Sequence, residues 1–182
     1  MNVGRAVKRT RVMRANRSPV WLRALRVMLM LLALLAVLSL LVEVHPVRGH
    51  SMNPTLREGE WVLLWRGAYL LRAPAYGDLV ACRFPGQDAT WIKRVVGLPE
   101  DVLYGGEGTV YRNGAPLEEP YLGAPTPAFA AVKAWPEQYL LLGDHREDSL
   151  DSRHPGVGAV ARERLTGRAV CVLWPPACWR WL

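Results

Sequence analysis

Acidic residues are missing from the first 26 positions, and cysteine and lysine are scarce everywhere in this 182-residue chain. The three cysteines include no C-x-x-C pair, and no spacing of His and Cys is typical of a metal site, so we expect no metal. Cys82 lies in an apolar run and is expected to be buried. Cys171 and Cys178 are candidates for a disulfide in an oxidising compartment, which the sequence does not decide.

The missing acids make the beginning of the chain strongly basic. Residues 1–26 carry eight basic side chains, whereas the rest has 15 basic and 16 acidic residues, so the net charge of +7 comes entirely from this end. The uncharged run 27–42 follows at once. Basic residues that flank an apolar span stay on the cytoplasmic side of a membrane. We therefore predict a cytoplasmic tail at 1–21, a transmembrane helix at 22–44 and an extracytoplasmic body at 45–182.

Two other readings of this end are weaker. A removed signal peptide would have a short charged start and a small-x-small cleavage site, but the basic segment is long and residues 41–46 offer no such site. Nucleic-acid binding is the other use of a basic run. The adjacent apolar span already accounts for the charge, so we expect a lipid bilayer as a partner and no nucleic acid.

The body lacks a helical hydrophobic stripe and is predicted to be mainly β. Five short runs rich in Val, Ile, Leu, Tyr and Trp are bounded by Gly, Pro and Asp, at 60–65, 78–84, 90–96, 139–142 and 168–174. Asn113-Gly114 between two strand-like pieces is a strong hairpin signal. About 138 residues are enough for one domain with its own core.

Ser51 stands nine residues after the apolar run and is a candidate nucleophile. A serine hydroxyl needs a base to activate it, and the chain offers the following candidates: His45, His50, His145, His154, Lys93 and Lys133. Adjacent side chains of an extended segment point to opposite faces, which places His50 poorly. Lys93 lies in an apolar run, and burial lowers the pKa of lysine. With 20 Arg and only three Lys in the chain, a lysine in a strand is notable, although a snorkelling surface lysine explains it equally well.

Four motifs occur in order after the apolar run, and together with it they resemble the type I signal peptidases, the membrane-bound Ser/Lys proteases. The motifs are Ser51-Met52-x-Pro54-Thr55-Leu56, Gly77-Asp78-x-Val80, Lys93-Arg94-Val95-Val96-Gly97-Leu98-Pro99 and Gly143-Asp144-His145-Arg146-Glu147-Asp148-Ser149-Leu150-Asp151-Ser152-Arg153. The resemblance spans nearly the whole body. It implies an antiparallel, barrel-like β catalytic core with a small inserted β cap at 102–138, preceded by one N-terminal transmembrane helix, and no cofactor.

The resemblance also implies roles for single residues. Ser51 matches the nucleophile, with its backbone N–H in the oxyanion hole, Lys93 matches the general base, and Ser149 matches the serine that orients the lysine. Asp151 matches an acid that pairs with nearby arginines, here Arg153 and Arg94. Asp78 matches a structural position near the site.

Further residues are expected to meet the substrate or depart from the family pattern. The resemblance implies that Met52, Leu56 and Ile92 form the walls of a shallow pocket for small side chains, while Met52 and Leu56 also fit the pattern of ordinary core residues. His145 stands where Asn is common, and Gly49 stands where some members have an oxyanion-hole serine.

The sequence thus predicts a serine endopeptidase of the bacterial cytoplasmic membrane. It would cut the signal peptides of exported preproteins after Ala-x-Ala-like sites. Three alternatives stay open: a specialised Ser/Lys peptidase for a conjugation or pilus protein, a Ser-His-Asp hydrolase that uses His145 or His154, and a non-catalytic anchored β domain that binds partners.

Overall fold

A computed structural model describes residues 19–182, so most of the predicted basic tail lies outside the described residues. Helix α1, Val20–Leu41, is 22 residues long and apolar enough to cross a membrane. The predicted span of 22–44 runs too far at its end. Residues 42–44 belong to strand β1, Val42–Pro46, where β-branched Val42 and Val44 alternate with polar residues and favour an extended backbone. The chain divides into two compact units between Val37 and Leu38.

Two antiparallel sheets form the body, which confirms the predicted mainly β fold. After β1 the strands are β2 Trp61–Trp65, β3 Leu79–Cys82, β4 Trp91–Gly97, β5 Val102–Gly106, β6 Thr109–Arg112, β7 Ala115–Pro116, β8 Phe129–Lys133, β9 Gln138–Leu142, β10 Val160–Ala161, β11 Leu165–Trp174 and β12 Arg180–Trp181. The larger sheet has eight strands in the order β1-β2-β11-β3-β4-β9-β10, with β12 beside β11, and the smaller sheet has the order β7-β6-β5-β8.

The central strands of the larger sheet are covered on both faces. Residues 92–97 of β4 are all buried, as are all four residues of β3, and such strands appear in sequence as continuous apolar runs rather than alternating ones. Two clusters of buried side chains lie on these strands, one containing Leu56, Val62 and Ile92 and the other containing Phe84 and Val95.

The smaller sheet lies within the predicted insert at 102–138. Its turn between β6 and β7 is formed by Asn113 and Gly114, with φ of 54° and 86°, the left-handed pair that a two-residue hairpin turn requires. A third buried cluster joins the sheets, with Leu103 and Val110 from the smaller one and Val96 and Leu140 from the larger. The insert is therefore packed onto the larger sheet by a shared apolar core.

Candidate active site

Ser51 lies in the turn that follows β1, and Lys93 lies in the first half of β4. Gly49 opens this turn with a φ of 74°, and its N–H donates to Glu58 Oε1 at 3.1 Å. The N–H of Asn53 donates to the carbonyl of His50 at 2.9 Å, which closes the turn around Ser51. The serine is thus presented by a compact, hydrogen-bonded turn rather than by a regular strand.

The two residues meet directly. Lys93 Nζ lies 2.6 Å from Ser51 Oγ and 3.2 Å from Ser149 Oγ, and Lys93 is 0% exposed. Its Nζ also lies 5.5 Å from the centroid of the Trp91 ring. Burial lowers the pKa of Lys93 to about 8, against an opposing influence of the Asp151 charge. A lysine in this state has an appreciable neutral fraction at neutral pH and can accept a proton from the hydroxyl it contacts.

Asp151 is fully buried and is surrounded by donors. It accepts from Arg153 Nε and Nη2, both at 2.8 Å, and from the N–H of Gly143 at 3.0 Å. Burial acts to raise the pKa of Asp151, but the Arg153 guanidinium and the Gly143 N–H hold it below its ordinary value. The pairing of Asp151 with Arg153 agrees with the sequence-based expectation.

The expected pairing of Arg94 with Asp151 is wrong. Arg94 instead holds Asp144, with Nε to Oδ1 at 2.9 Å and Nη2 to Oδ2 at 2.6 Å, and Thr55 Oγ1 donates to the same Oδ2 at 2.5 Å. Lys93 and Arg94 are consecutive in a strand, so their side chains leave on opposite faces of the sheet. Asp144 lies on the face of the sheet where the Arg94 side chain leaves. The order of the motifs in the sequence does not indicate this.

Asp78 lies near the site without touching Ser51 or Lys93. Its carboxylate accepts from Arg72 Nη1 at 2.9 Å and lies 3.1 Å from Arg168 Nε, and its backbone carbonyl accepts from the N–H of Val95 at 2.9 Å. It therefore fixes the start of β3 against β4, two residues beyond Lys93.

A cleft of about 510 Å³ opens beside Ser51. It is lined by His45, Pro46, Val47, Arg48, Gly49, Ser51, Met52, Ala89, Thr90, Trp91 and Ile92. Met52 and Ile92 lie in its wall, as expected. Leu56 does not, because its side chain is fully buried in the core beneath, so that part of the expected pocket is wrong. Val47 and Trp91 were missed, since nothing in their spacing marks them as wall residues.

Two free strand edges border this cleft. Within residues 19–182, β1 pairs only with β2, and β4 pairs with β9 only from Arg94 onward, so residues 91–93 pair on one side alone. Such edges present unpaired N–H and C=O groups that can pair with another extended chain.

The histidines do not reach the Ser51 hydroxyl in the described part of the chain. The backbone N–H of His145 donates to the Ser51 carbonyl at 3.1 Å, while its Nδ1 is buried without a hydrogen-bond partner. His154 Nδ1 accepts from the N–H of Gly156 at 3.1 Å, and His50 lies 3.4 Å from Glu58. Among residues 19–182, no group of three or more His, Cys, Asp or Glu side chains could hold a metal ion.

Comparison with known proteins identifies the family. The sequence profile of "Signal peptidase, peptidase S26" matches residues 20–174. The chain belongs to the signal peptidase S26 family. A probable signal peptidase I-2 of Synechocystis sp. is 38% identical over 147 residues, which are 75% of this chain and 65% of that relative. Signal peptidase I of Bacillus licheniformis is 31% identical over 166 residues, 85% of this chain and 88% of its own. The chain therefore spans just under two thirds of the first relative and most of the second.

The chain also has partial similarity to a solved structure. The crystal structure of a signal peptidase I from Enterococcus faecalis V583 is 27% identical, covers 53% of this chain and 97% of its own, and has a TM-score of 0.48. Members of the S26 signal peptidase family are serine endopeptidases, and the apolar helix α1 fits membrane anchoring.

Proposed function

We propose that this chain is a membrane-anchored signal peptidase that cuts exported preproteins, with Ser51 as the nucleophile and Lys93 as the general base. The observation that carries the proposal is the 2.6 Å contact between Lys93 Nζ and Ser51 Oγ in a buried, apolar setting. A base must reach the proton it removes, and a lysine must lose its own proton before it can act. Contact and burial together meet both conditions.

The reaction follows the Ser–Lys variant of triad chemistry. Neutral Lys93 takes the hydroxyl proton as Ser51 Oγ bonds to the scissile carbonyl carbon, and the oxyanion is held by the Ser51 backbone N–H. Protonated Lys93 then gives that proton to the leaving amine as the C–N bond breaks. A water loses a proton to Lys93 and attacks the acyl ester, and the proton returns to Ser51 Oγ when the second bond breaks.

Ser149 and the two ion pairs are proposed to hold the base in place. Ser149 Oγ is the second oxygen within hydrogen-bond distance of Lys93 Nζ and orients it toward Ser51. Asp151 with Arg153 fixes the segment that carries Ser149, and Arg94 with Asp144 fixes the strand that carries Lys93. Asp78 is proposed to be structural.

The substrate is proposed to bind as an added strand along the free edges of β1 and of residues 91–93. Small side chains at positions −1 and −3 of the cut would fit the cleft between Met52 and Ile92. A preprotein with Ala at −1 should be cut, and one with Phe at −1 should not. Equal cleavage of both would contradict this assignment of the cleft.

Localisation and topology belong to the same proposal. Residues 1–21 would be cytoplasmic, α1 would span the bacterial cytoplasmic membrane, and residues 45–182 would form the outer catalytic domain with the insert at 102–138. The support is the charge of +8 before the apolar run and the helix itself. Protease added to spheroplasts should digest the body and spare the N-terminal residues. Protection of the body would contradict the topology.

The decisive experiment uses the full chain in detergent with a preprotein. Sequencing the new N-terminus should place the cut after an Ala-x-Ala-like site, and Ser51→Ala should abolish the product. Cleavage only of one dedicated conjugation or pilus protein would favour the specialised peptidase. Cleavage that survives Lys93→Ala would favour a histidine-based hydrolase, and binding without any cleavage would leave a non-catalytic partner-binding domain.

A further inference from the structure

Arg146 is a buried cation whose charge is balanced by Glu119, a residue of the insert at 102–138. Its side chain is 0% exposed, and its guanidinium grips Glu119 with two hydrogen bonds, Nη2 to Oε1 at 2.6 Å and Nη1 to Oε2 at 2.9 Å. Nη1 also donates to Thr126 Oγ1 at 2.7 Å. Both partners lie in the segment 102–138. Bidentate contact of this kind fixes the orientation of the guanidinium as well as its position.

The Nε donor of Arg146 holds a peptide that lies next to Ser51 and Ser149. Arg146 Nε donates to the carbonyl of Gly143 at 2.9 Å. Gly143 lies against both partners of the lysine, because a Cβ placed on it would overlap Ser149 Oγ and the Ser51 carbonyl. The peptide of Gly143 therefore sets how closely Ser51 and Ser149 approach each other, and Arg146 holds that peptide.

Tyr121 makes a second link, two residues beyond Glu119. Its hydroxyl donates to Glu119 Oε1 at 2.5 Å, and the guanidinium of Arg94 lies 3.8 Å from the centroid of its ring. Arg94 directly follows Lys93 in β4. Residues 119–121 thus contact two arginines of the site. One is Arg94, which follows Lys93 in β4, and the other is Arg146, which holds the Gly143 peptide.

We propose that Glu119, assisted by Tyr121, is a positioning residue that keeps Ser51, Lys93 and Ser149 in reacting geometry through Arg146 and Arg94. The inference rests on the proposed function for its activity readout. The insert at 102–138 would therefore hold the site residues in position in addition to covering the larger sheet. Glu119 touches neither Ser51 nor Lys93, so its influence passes through the Gly143 peptide and β4.

The test is Glu119→Gln, with Glu118→Gln as its matched control. Gln keeps the size of Glu119 but removes the charge that balances Arg146, whereas Glu118 is the exposed neighbour and has the same chemistry. We expect kcat on a preprotein to fall about 10- to 100-fold for Glu119→Gln, with KM changed less than about threefold. The control should stay within about twofold of wild type. Equal kcat for both variants would overturn the proposal.

Lys93 can be followed without any turnover, because the chain has only three lysines. Selective ¹³C labelling of the lysine side chains should give three signals by NMR, and Lys93→Arg identifies the one that belongs to Lys93. In Glu119→Gln, a looser Gly143 admits water, so the Lys93 signal should titrate at higher pH than in wild type. Loss of stability alone would leave the titration of the folded protein unchanged, and an unchanged titration would contradict the positioning role.

A double variant separates positioning from folding. Glu119→Gln with Arg146→Met removes both members of the buried pair, which restores stability more readily than breaking one of them. We expect the melting temperature to recover and kcat to stay low, since nothing then holds the Gly143 carbonyl. Recovery of kcat together with melting temperature would show a merely structural role.

The two proposals fail in different ways. If wild type cuts no preprotein but the Lys93 titration still shifts in Glu119→Gln, the proposed function fails and the positioning of Lys93 stands. If wild type cuts normally and neither kcat nor the titration changes, the positioning role fails and the proposed function stands.

Discussion

Lys93 and Arg94 are neighbours in β4, but their side chains lie on opposite faces of the sheet, and the two faces have opposite effects on the stability of a buried positive charge. Arg94, 9% exposed, has the carboxylate of Asp144 at 2.6 Å and the ring of Tyr121 at 3.8 Å. Lys93, 0% exposed, has two serine hydroxyls as its hydrogen-bond partners. One side stabilises a buried cation, whereas the other disfavours it.

This difference explains why the pair needs both types of residue. An arginine keeps its proton in a protein and can serve as a permanent structural charge. A lysine that is buried without a carboxylate in direct contact gives up its proton near neutral pH. Asp151, the acid whose charge acts most strongly on the pKa of Lys93, is paired with Arg153, and this limits how much negative charge Lys93 experiences. Asp144 and Asp151 thus order the site, but each is ion-paired with an arginine rather than with Lys93.

Lys93→Arg should have the largest effect, because both faces of β4 would then carry a permanently charged arginine. We expect kcat/KM on a preprotein to fall about 10³- to 10⁴-fold, as for Lys93→Ala, since arginine cannot accept the serine proton. Adding Ser51→Ala should change nothing more, because residues that act as a unit are not additive. His145→Ala and His154→Ala are the controls and should keep most of the activity. An inactive but folded His145→Ala would contradict the lysine mechanism.

Asp151→Ala should destabilise the segment that carries Ser149, on the lysine side of the sheet. It leaves Arg153, whose side chain is only 12% exposed, without its carboxylate, and we expect a loss of about 3–5 kcal/mol in the free energy of unfolding. The folded-state pKa of Asp151 is below its ordinary value, so the stability it contributes is present above about pH 4 and is lost as the pH falls through the lower folded value. Chemical unfolding at pH 7 measures the loss, and an unchanged midpoint would show that Asp151 is not a buried partner.

The pH dependence of activity should reveal the lysine side. Because the pKa of Lys93 is lowered to about 8, kcat/KM should rise with pH through that region and level off above it. Between pH 6 and 7 the rise should be about tenfold, as expected for one proton lost from a single base with a pKa near 8. A profile centred near pH 6.5 would indicate a histidine base instead.

Lys93→Met should have the smallest effect and the opposite sign on stability. The shift in pKa from 10.5 to about 8 corresponds to about 3 kcal/mol, of which the lost hydrogen bonds offset a part. We expect an inactive protein that is about 1–3 kcal/mol more stable at pH 7. The advantage over wild type should shrink above pH 8, where Lys93 is neutral in the folded state. Arg94→Met is the matched control and should be less stable, since it leaves Asp144 unpaired.

Much of this site could be predicted from the sequence, because its parts lie in short ordered motifs. The contact of Ser51 with Lys93, the proximity of Ser149 and the pair of Asp151 with Arg153 agree with the resemblance to signal peptidases. Their roles remain predictions. The five apolar runs correspond to strands for the same local reason, since each has a composition that suits a buried extended backbone.

What the sequence could not predict depends on contacts between distant segments. The partner of Arg94 is set by the face on which its side chain leaves β4, and Leu56 lies in the core beneath the cleft rather than in its wall. Strand β8 has partly exposed, mixed residues that no hydrophobic period marks. Glu119 lies 27 positions before Arg146, and no spacing rule connects them. Each of these facts is a tertiary one.

The free edges of β1 and of residues 91–93 also bear on turnover. Main-chain hydrogen bonds along a strand edge do not depend on whether the peptide bond beyond them is intact. The part of the substrate that lies before the cut would therefore be held equally well after cleavage. We expect its departure, rather than the chemistry, to limit each cycle, so that the first equivalent of product appears in a rapid burst followed by a slower steady state.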